Sequence, residues 1–138
     1  MIQMIDNQSK QSVAAKVSKK ILLVEDDQVL AKMYSQRLAS EGYEVLTAAD
    51  GEEGLKIALE TDLNLVITDI MLPRVSGIEL VEKLRKTKKY SKTPIIAWSN
   101  LADESEKETA LRVGANDYLH KGSVSLDQVV ETVQKYLV

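Results

Sequence analysis

Five short apolar runs recur along the chain, and each is followed by a longer stretch whose apolar positions fall three or four residues apart. Ile21 to Val24, Leu65 to Asp69 and Pro94 to Trp98 are apolar almost without interruption, which predicts strands buried on both faces. Glu44 to Ala48 and Asp117 to His120 are weaker and predict shorter or edge strands. The run at Leu65-Val66-Ile67-Thr68-Asp69 delivers a carboxylate to its end, and Pro73 and Gly77 then break the pattern.

The intervening stretches predict five helices. Asp27 caps the first, in which Leu30, Tyr34 and Leu38 with Val29 and Met33 mark one apolar stripe closed by Gly42. Asp50 with Glu53 predicts a capping box for a helix carrying Leu55, Ala58 and Leu59. A third helix carries Ile78, Val81 and Leu84 and ends in the basic stretch Arg85 to Lys89, which reads as a solvated helix end. Asp103 with Glu106 predicts a second box, opening a polar helix with few apolar residues and shallow packing. Ser125 with Gln128 predicts a third, for a helix with Leu126, Val129, Val130, Val133 and Leu137 inward.

Strands that alternate with helices must run parallel through right-handed crossovers. The fold expected is therefore a doubly wound α/β domain with a five-stranded parallel sheet over residues 20–138, preceded by a flexible polar leader at 1–19. The three continuous apolar strands belong at the centre. Their C-terminal ends then bring Glu25, Asp26, Asp69 and Ser99 together, and Lys121 arrives from the fifth strand.

Composition narrows the chemistry. The 138 residues carry a net charge of -3, which gives no electrostatic reason to bind nucleic acid. No cysteine and a single histidine exclude disulfides and thiolate metal sites, so oxygen ligands remain. No apolar run approaches the roughly 20 residues of a membrane span, so membrane insertion is not expected and a cytoplasmic location is the default.

Crowded carboxylates repel one another unless a cation neutralises them, and oxygen-only ligation with few protein groups suits Mg²⁺ shared with a phosphate. Carboxylates form acyl phosphates, which makes Asp69 the best-placed nucleophile. Lys121 suits pairing with a phosphoryl group, and the Ser99 hydroxyl suits donating to one of its oxygens.

The ordered motifs Val24-Glu25-Asp26-Asp27, Thr68-Asp69-Ile70-Met71-Leu72-Pro73 through Gly77, Pro94 through Ser99, and Gly114 through Lys121 resemble the receiver domain of two-component response regulators. The resemblance spans Lys20 to Val138 and implies the sheet order 2-1-3-4-5. It implies that Asp69 takes a phosphoryl group from a sensor histidine kinase or phosphotransfer protein, and that the chain is a regulator rather than a turnover enzyme. It also implies Asp26 as a direct Mg²⁺ ligand, Glu25 acting through water, and the backbone carbonyl of Met71 completing the site. Ser99 and Tyr118 match the hydroxyl and aromatic that change position together, and Lys121 matches the phosphate-pairing lysine. With no output domain after Val138, the expected product is a changed surface formed by the helix from Asp103, the Asp117 strand and the last helix. A downstream protein or, on phosphorylation, a second copy would bind there.

Two departures stand out. Asn100 replaces the small residue usual after the switch hydroxyl, and Gly122 replaces the proline usual after the lysine. Asn100, with Met71 and Leu101 flanking the site, is expected to slow the approach of donors or hydrolytic water. A haloacid-dehalogenase-type phosphatase would need a second Asp where Met71 stands, and a flavodoxin-like flavin site would be repelled by Glu25-Asp26-Asp27. The alternative that survives is a phosphorylation-independent interaction module of the same fold. Trp98 reads as core packing and His120 as a solvated strand end.

Overall fold

The computed structural model describes residues 18–100 and 103–138; most of the leader and Leu101 lie outside the described residues. The elements are β1 (Lys20–Val24), α1 (Gln28–Ser40), β2 (Glu44–Ala48), α2 (Gly51–Glu60), β3 (Leu65–Asp69), α3 (Gly77–Lys86), a 3₁₀ turn (Lys88–Tyr90), β4 (Ile95–Ser99), α4 (Glu104–Val113), β5 (Asp117–His120) and α5 (Leu126–Tyr136). All strand pairs are parallel, and the order is β2-β1-β3-β4-β5. The doubly wound α/β architecture and the 2-1-3-4-5 order are therefore as expected.

Side chains alternate across the sheet and divide the core in two. Ile21 and Leu23 of β1, with Ile67, Ile96 and Trp98, pack on Tyr34 and Leu38 of α1 and on Val129, Val130 and Val133 of α5. Leu22, Val24 and Val66 face the other way, onto Ala58, Leu80, Val81 and Leu84 of α2 and α3. Each fully buried side chain of this kind contributes about 1.5–3 kcal/mol. Helix α4 buries only Ala110, in line with its polar composition.

The single stripe expected on α1 splits. Tyr34 and Leu38 are buried, but Val29 is 77% and Met33 40% exposed. Val29 and Met33 stack one turn apart on a ridge rotated by about 100° from Leu30 and Tyr34, since each helical residue turns that far. Leu59 is likewise 59% exposed, one residue round the helix from the buried Ala58. Apolar character alone did not mark the inward face.

The N-caps form as predicted, while the reciprocal bonds vary. Ser125 and Gln128 close a full box on α5. On α2 the Asp50 side chain accepts from Glu53 N at 2.8 Å, and Glu53 Oε1 accepts from Ala49 N, one residue ahead of the cap. On α4 Asp103 caps Ser105 and Glu106, but the Glu106 carboxylate bonds elsewhere.

The chain after β3 turns back tightly on itself, with Gly77 N donating to Ile70 O at 3.0 Å. A Cβ at Gly77 would stand 1.9 Å from Asp69 O and 2.7 Å from Ile70 Cα, both backbone atoms that cannot swing aside. Gly77→Ala is expected to lose about 3 kcal/mol in urea unfolding, as overpacked sites do. Unchanged stability would show that the turn yields freely.

Candidate functional site

The C-terminal ends of β1, β3 and β4 place Glu25, Asp69 and Ser99 side by side, and the chain leaving β5 adds Lys121. Register does most of this. Val24 pairs with Thr68, Asp69 with Trp98 and Ser99 with His120. Lys121 N then donates to Ser99 O at 2.8 Å, which extends the ladder by one bond and aims the lysine inward.

Lys121 Nζ bridges two acids, 2.6 Å from Glu25 Oε1 and 2.7 Å from Asp69 Oδ2. Glu25 and Asp69 are buried, while Asp26 is exposed at the mouth. Carboxylate oxygens from all three lie within 4.8 Å of one another. The second oxygen of each buried acid is held by the backbone: Asp27 N donates to Glu25 Oε2 at 3.0 Å and Met71 N donates to Asp69 Oδ1 at 3.0 Å. The cleft measures about 300 Å³, and Met71 and Asn100 line it together with Asp26 and Asp27.

Burial raises the Glu25 carboxyl above its usual value, against the opposing pull of the Lys121 ammonium. Burial also works against the charge on Lys121, but its hydrogen bonds to Asp69 and Glu25 outweigh that and hold it above the ordinary lysine value. Its ammonium lies 5.1 Å from the centre of the Trp98 ring, which is itself in edge contact with Tyr34. Trp98 is fully buried, as the core reading requires.

Next to this cleft, Tyr118 Oη donates to Glu106 Oε1 at 2.8 Å, and Ser99 lies on the neighbouring strand, two residues past the Ala97 that pairs with Tyr118. Burial and then the Glu106 carboxylate push the phenol up to about 12. The structure thus gathers Glu25, Asp26, Asp69, Met71 and Lys121 in one cleft and sets Ser99 and Tyr118 beside it.

Two residues make contacts that the sequence pattern hid. Glu106 looked like half of a capping box. His120 looked solvated, yet Nδ1 lies 2.6 Å from Ser123 Oγ and Nε2 2.9 Å from Asn100 O, so it ties the loop after β4 to the loop after β5. Gly122 makes room for it: a Cβ there would come within 3.0 Å of the imidazole Cε1. The departure at Gly122 was the available signal.

The family model of the response regulator receiver domain matches residues 21–134. Among curated relatives, a probable transcriptional regulator ycf27 of Cyanophora paradoxa is 43% identical over 75% of this chain and 42% of its own length. The alkaline phosphatase synthesis transcriptional regulatory protein PhoP of Bacillus subtilis is 38% identical over 76% of this chain and 43% of its own. The chain thus spans less than half the length of these relatives.

Among solved structures, the chemotaxis response regulator CheY4 of Vibrio cholerae superposes with a TM-score of 0.81 at 32% identity, covering 87% of this chain and 99% of that one. The receiver domain of sensor histidine kinase PA1611 from Pseudomonas aeruginosa, which has a magnesium ion coordinated in its active-site cleft, gives 0.80 at 29% identity over 88% and 98%. The chain belongs to the response regulator receiver domain family, the phosphoacceptor switch of two-component systems. Proteins of this class are regulators, and they act with kinases. Among the described residues no helix is long and apolar enough to cross a membrane.

Proposed function

We propose that Asp69 takes the phosphoryl group from a sensor histidine kinase or phosphotransfer protein. An Asp69 carboxylate oxygen forms the new bond to phosphorus as the bond between phosphorus and the donor imidazole breaks, and the imidazole leaves with the electron pair. The observation that carries this reading is Lys121 Nζ, 2.7 Å from Asp69 Oδ2 and buried with it, where it can pair with phosphoryl oxygens on that carboxylate.

The donor set fits Mg²⁺: three carboxylates, oxygen only, with Asp26 open to solvent. Asp26 and Asp69, with the Met71 backbone carbonyl and Glu25 through water, would hold the ion. When bound, it neutralises charge on the acids and the transferring phosphoryl oxygens. Lys121 meanwhile orients Asp69, and Met71 N–H fixes its other oxygen. The Ser99 hydroxyl then donates to a phosphoryl oxygen, Tyr118 changes position together with it, and the face formed by α4, β5 and α5 alters for a downstream protein or a second copy. A cytoplasmic location accords with this chemistry.

The test is intact mass after incubation with acetyl phosphate and Mg²⁺. The wild-type chain should gain the mass of one phosphoryl group, and Asp69→Asn should gain none. No gain in the wild type, or an equal gain in Asp69→Asn, would overturn the assignment and favour a module that binds its partner without phosphorylation.

A further inference from the structure

Helix α4 differs from α5 in what its third residue does. In α5 the Gln128 side chain turns back to accept the N–H of its own cap, Ser125, at 2.8 Å. In α2 the Glu53 carboxylate also turns back, onto Ala49 N–H. Glu106 holds the equivalent place in α4, three residues after the cap Asp103, but its carboxylate accepts from Tyr118 Oη at 2.8 Å instead. Ser99 stands two residues past Ala97, the β4 partner of Tyr118, and opposes the rise in the phenol's pKa as a hydroxyl donating to it does, so polar groups lead from beside Asp69 to the first turn of α4.

A hydroxyl carries one proton, so each link of such a chain has a direction. While Ser99 donates to Tyr118, the Tyr118 proton goes to Glu106, and the two bonds strengthen each other. A phosphoryl group on Asp69 draws the Ser99 proton to its own oxygens. Tyr118 then loses its donor and gains an acceptor in Ser99 Oγ, so its hold on Glu106 weakens.

We propose that Glu106 is the positioning residue that passes the state of Asp69 to α4: it is held by Tyr118 in the unmodified protein and is released on modification to close a capping box with the Asp103 N–H. The proposal rests on the phosphoacceptor reading of Asp69 and adds the element that responds. One carboxylate with two alternative donors makes the first turn of α4 a two-state element. The helix is suited to it, because Ala110 is the one residue it buries and little packing resists a change at its N-terminal end.

Amide hydrogen exchange at Asp103 reads the box directly, in the full chain with and without beryllofluoride and Mg²⁺, with bound fluoride followed by ¹⁹F NMR. In the wild type, exchange should slow about fivefold on addition, the effect of one good cap. Tyr118→Phe, which cannot hold Glu106, should show the slow rate before any addition. Glu106→Ala should bind beryllofluoride yet show no slowing, and Glu106→Gln, which keeps an acceptor oxygen, should recover part of it.

Tyr118→Phe exchanging at the unmodified wild-type rate, or Glu106→Ala slowing as the wild type does, would overturn the proposal. Absence of bound fluoride in the wild type would instead overturn the phosphoacceptor reading. The Tyr118→Phe comparison needs no addition and decides the Glu106 proposal in that case too.

Discussion

Lys121→Met is expected to lose about 3 kcal/mol of stability at pH 7, measured by urea unfolding. The ammonium bridges two acids that are almost wholly buried, and the lysine side chain is itself only 7% exposed. Removing one partner from a buried ion pair costs roughly 3–5 kcal/mol, because the remaining charge is left without compensation. The lower end applies here, since Asp26 opens the cleft to water.

The loss should depend on pH in a definite sense. Burial already holds the Glu25 carboxyl above its value in an unfolded chain, and the lysine opposes that rise. Without the lysine the rise grows. A carboxyl whose folded value is raised contributes stability that is fully present below its unfolded value and is lost as pH climbs through the folded one. The gap between variant and wild type should therefore narrow as pH falls toward 4.5, the ordinary value for this group. Mg²⁺ at pH 7 should restore part of the loss, because a divalent ion among the acids replaces the missing charge. A variant as stable as the wild type at pH 7 would show that the two acids do not depend on Lys121.

The elements that local pattern revealed are those whose cause is local. Ile21 to Val24 and Leu65 to Asp69 are strands because every side chain in them is apolar except Thr68 and the terminal Asp69, and the structure buries both runs almost completely. The caps at Asp27, Asp50, Asp103 and Ser125 were legible because the bond spans two or three residues. The strand order was different: alternation gave parallel strands, but the order came from the resemblance to receiver domains.

What stayed hidden depends on partners far along the chain. Lys121 and Asp69 stand 52 positions apart, and strand topology placed them at one sheet edge without giving the direct contact between them. The Tyr90 hydroxyl shares its one proton between Ala58 O and Thr61 O and accepts from Leu63 N, closing the α2 to β3 turn from 27 or more residues away, a role that no local pattern marks. Glu106 satisfied a local motif and was claimed by a distant tyrosine. For Glu106 the local preference was real and a tertiary hydrogen bond outweighed it.

Arg85 is the largest instance, and its replacement by alanine is expected to cost about 3 kcal/mol. Its place at the end of α3 in a basic run suggested a solvated helix end. Instead Nε donates to Gly114 O at 2.9 Å, Nη1 to Tyr90 O at 2.6 Å and Thr93 O at 2.7 Å, and Nη2 to Asn116 Oδ1 at 2.8 Å. One planar group thus joins the end of α3, the 3₁₀ turn, the approach to β4 and the link from α4 to β5. Asn116 Oδ1 also accepts from Ile95 N, so the same cluster starts β4.

The partners are carbonyls and an amide rather than carboxylates, and burial pulls the guanidinium below its ordinary pKa. The loss should therefore be nearly independent of salt, unlike that of an exposed ion pair. Arg85→Lys should recover less than half of it, because an ammonium cannot present a planar fork to four separated acceptors. In a double-mutant cycle, Arg85→Ala and Asn116→Ala should together cost less than the sum of the two, since each change removes part of the same network. A cost within about 0.5 kcal/mol of zero, the range of ordinary surface substitutions, would mean that the carbonyls are served equally well by water.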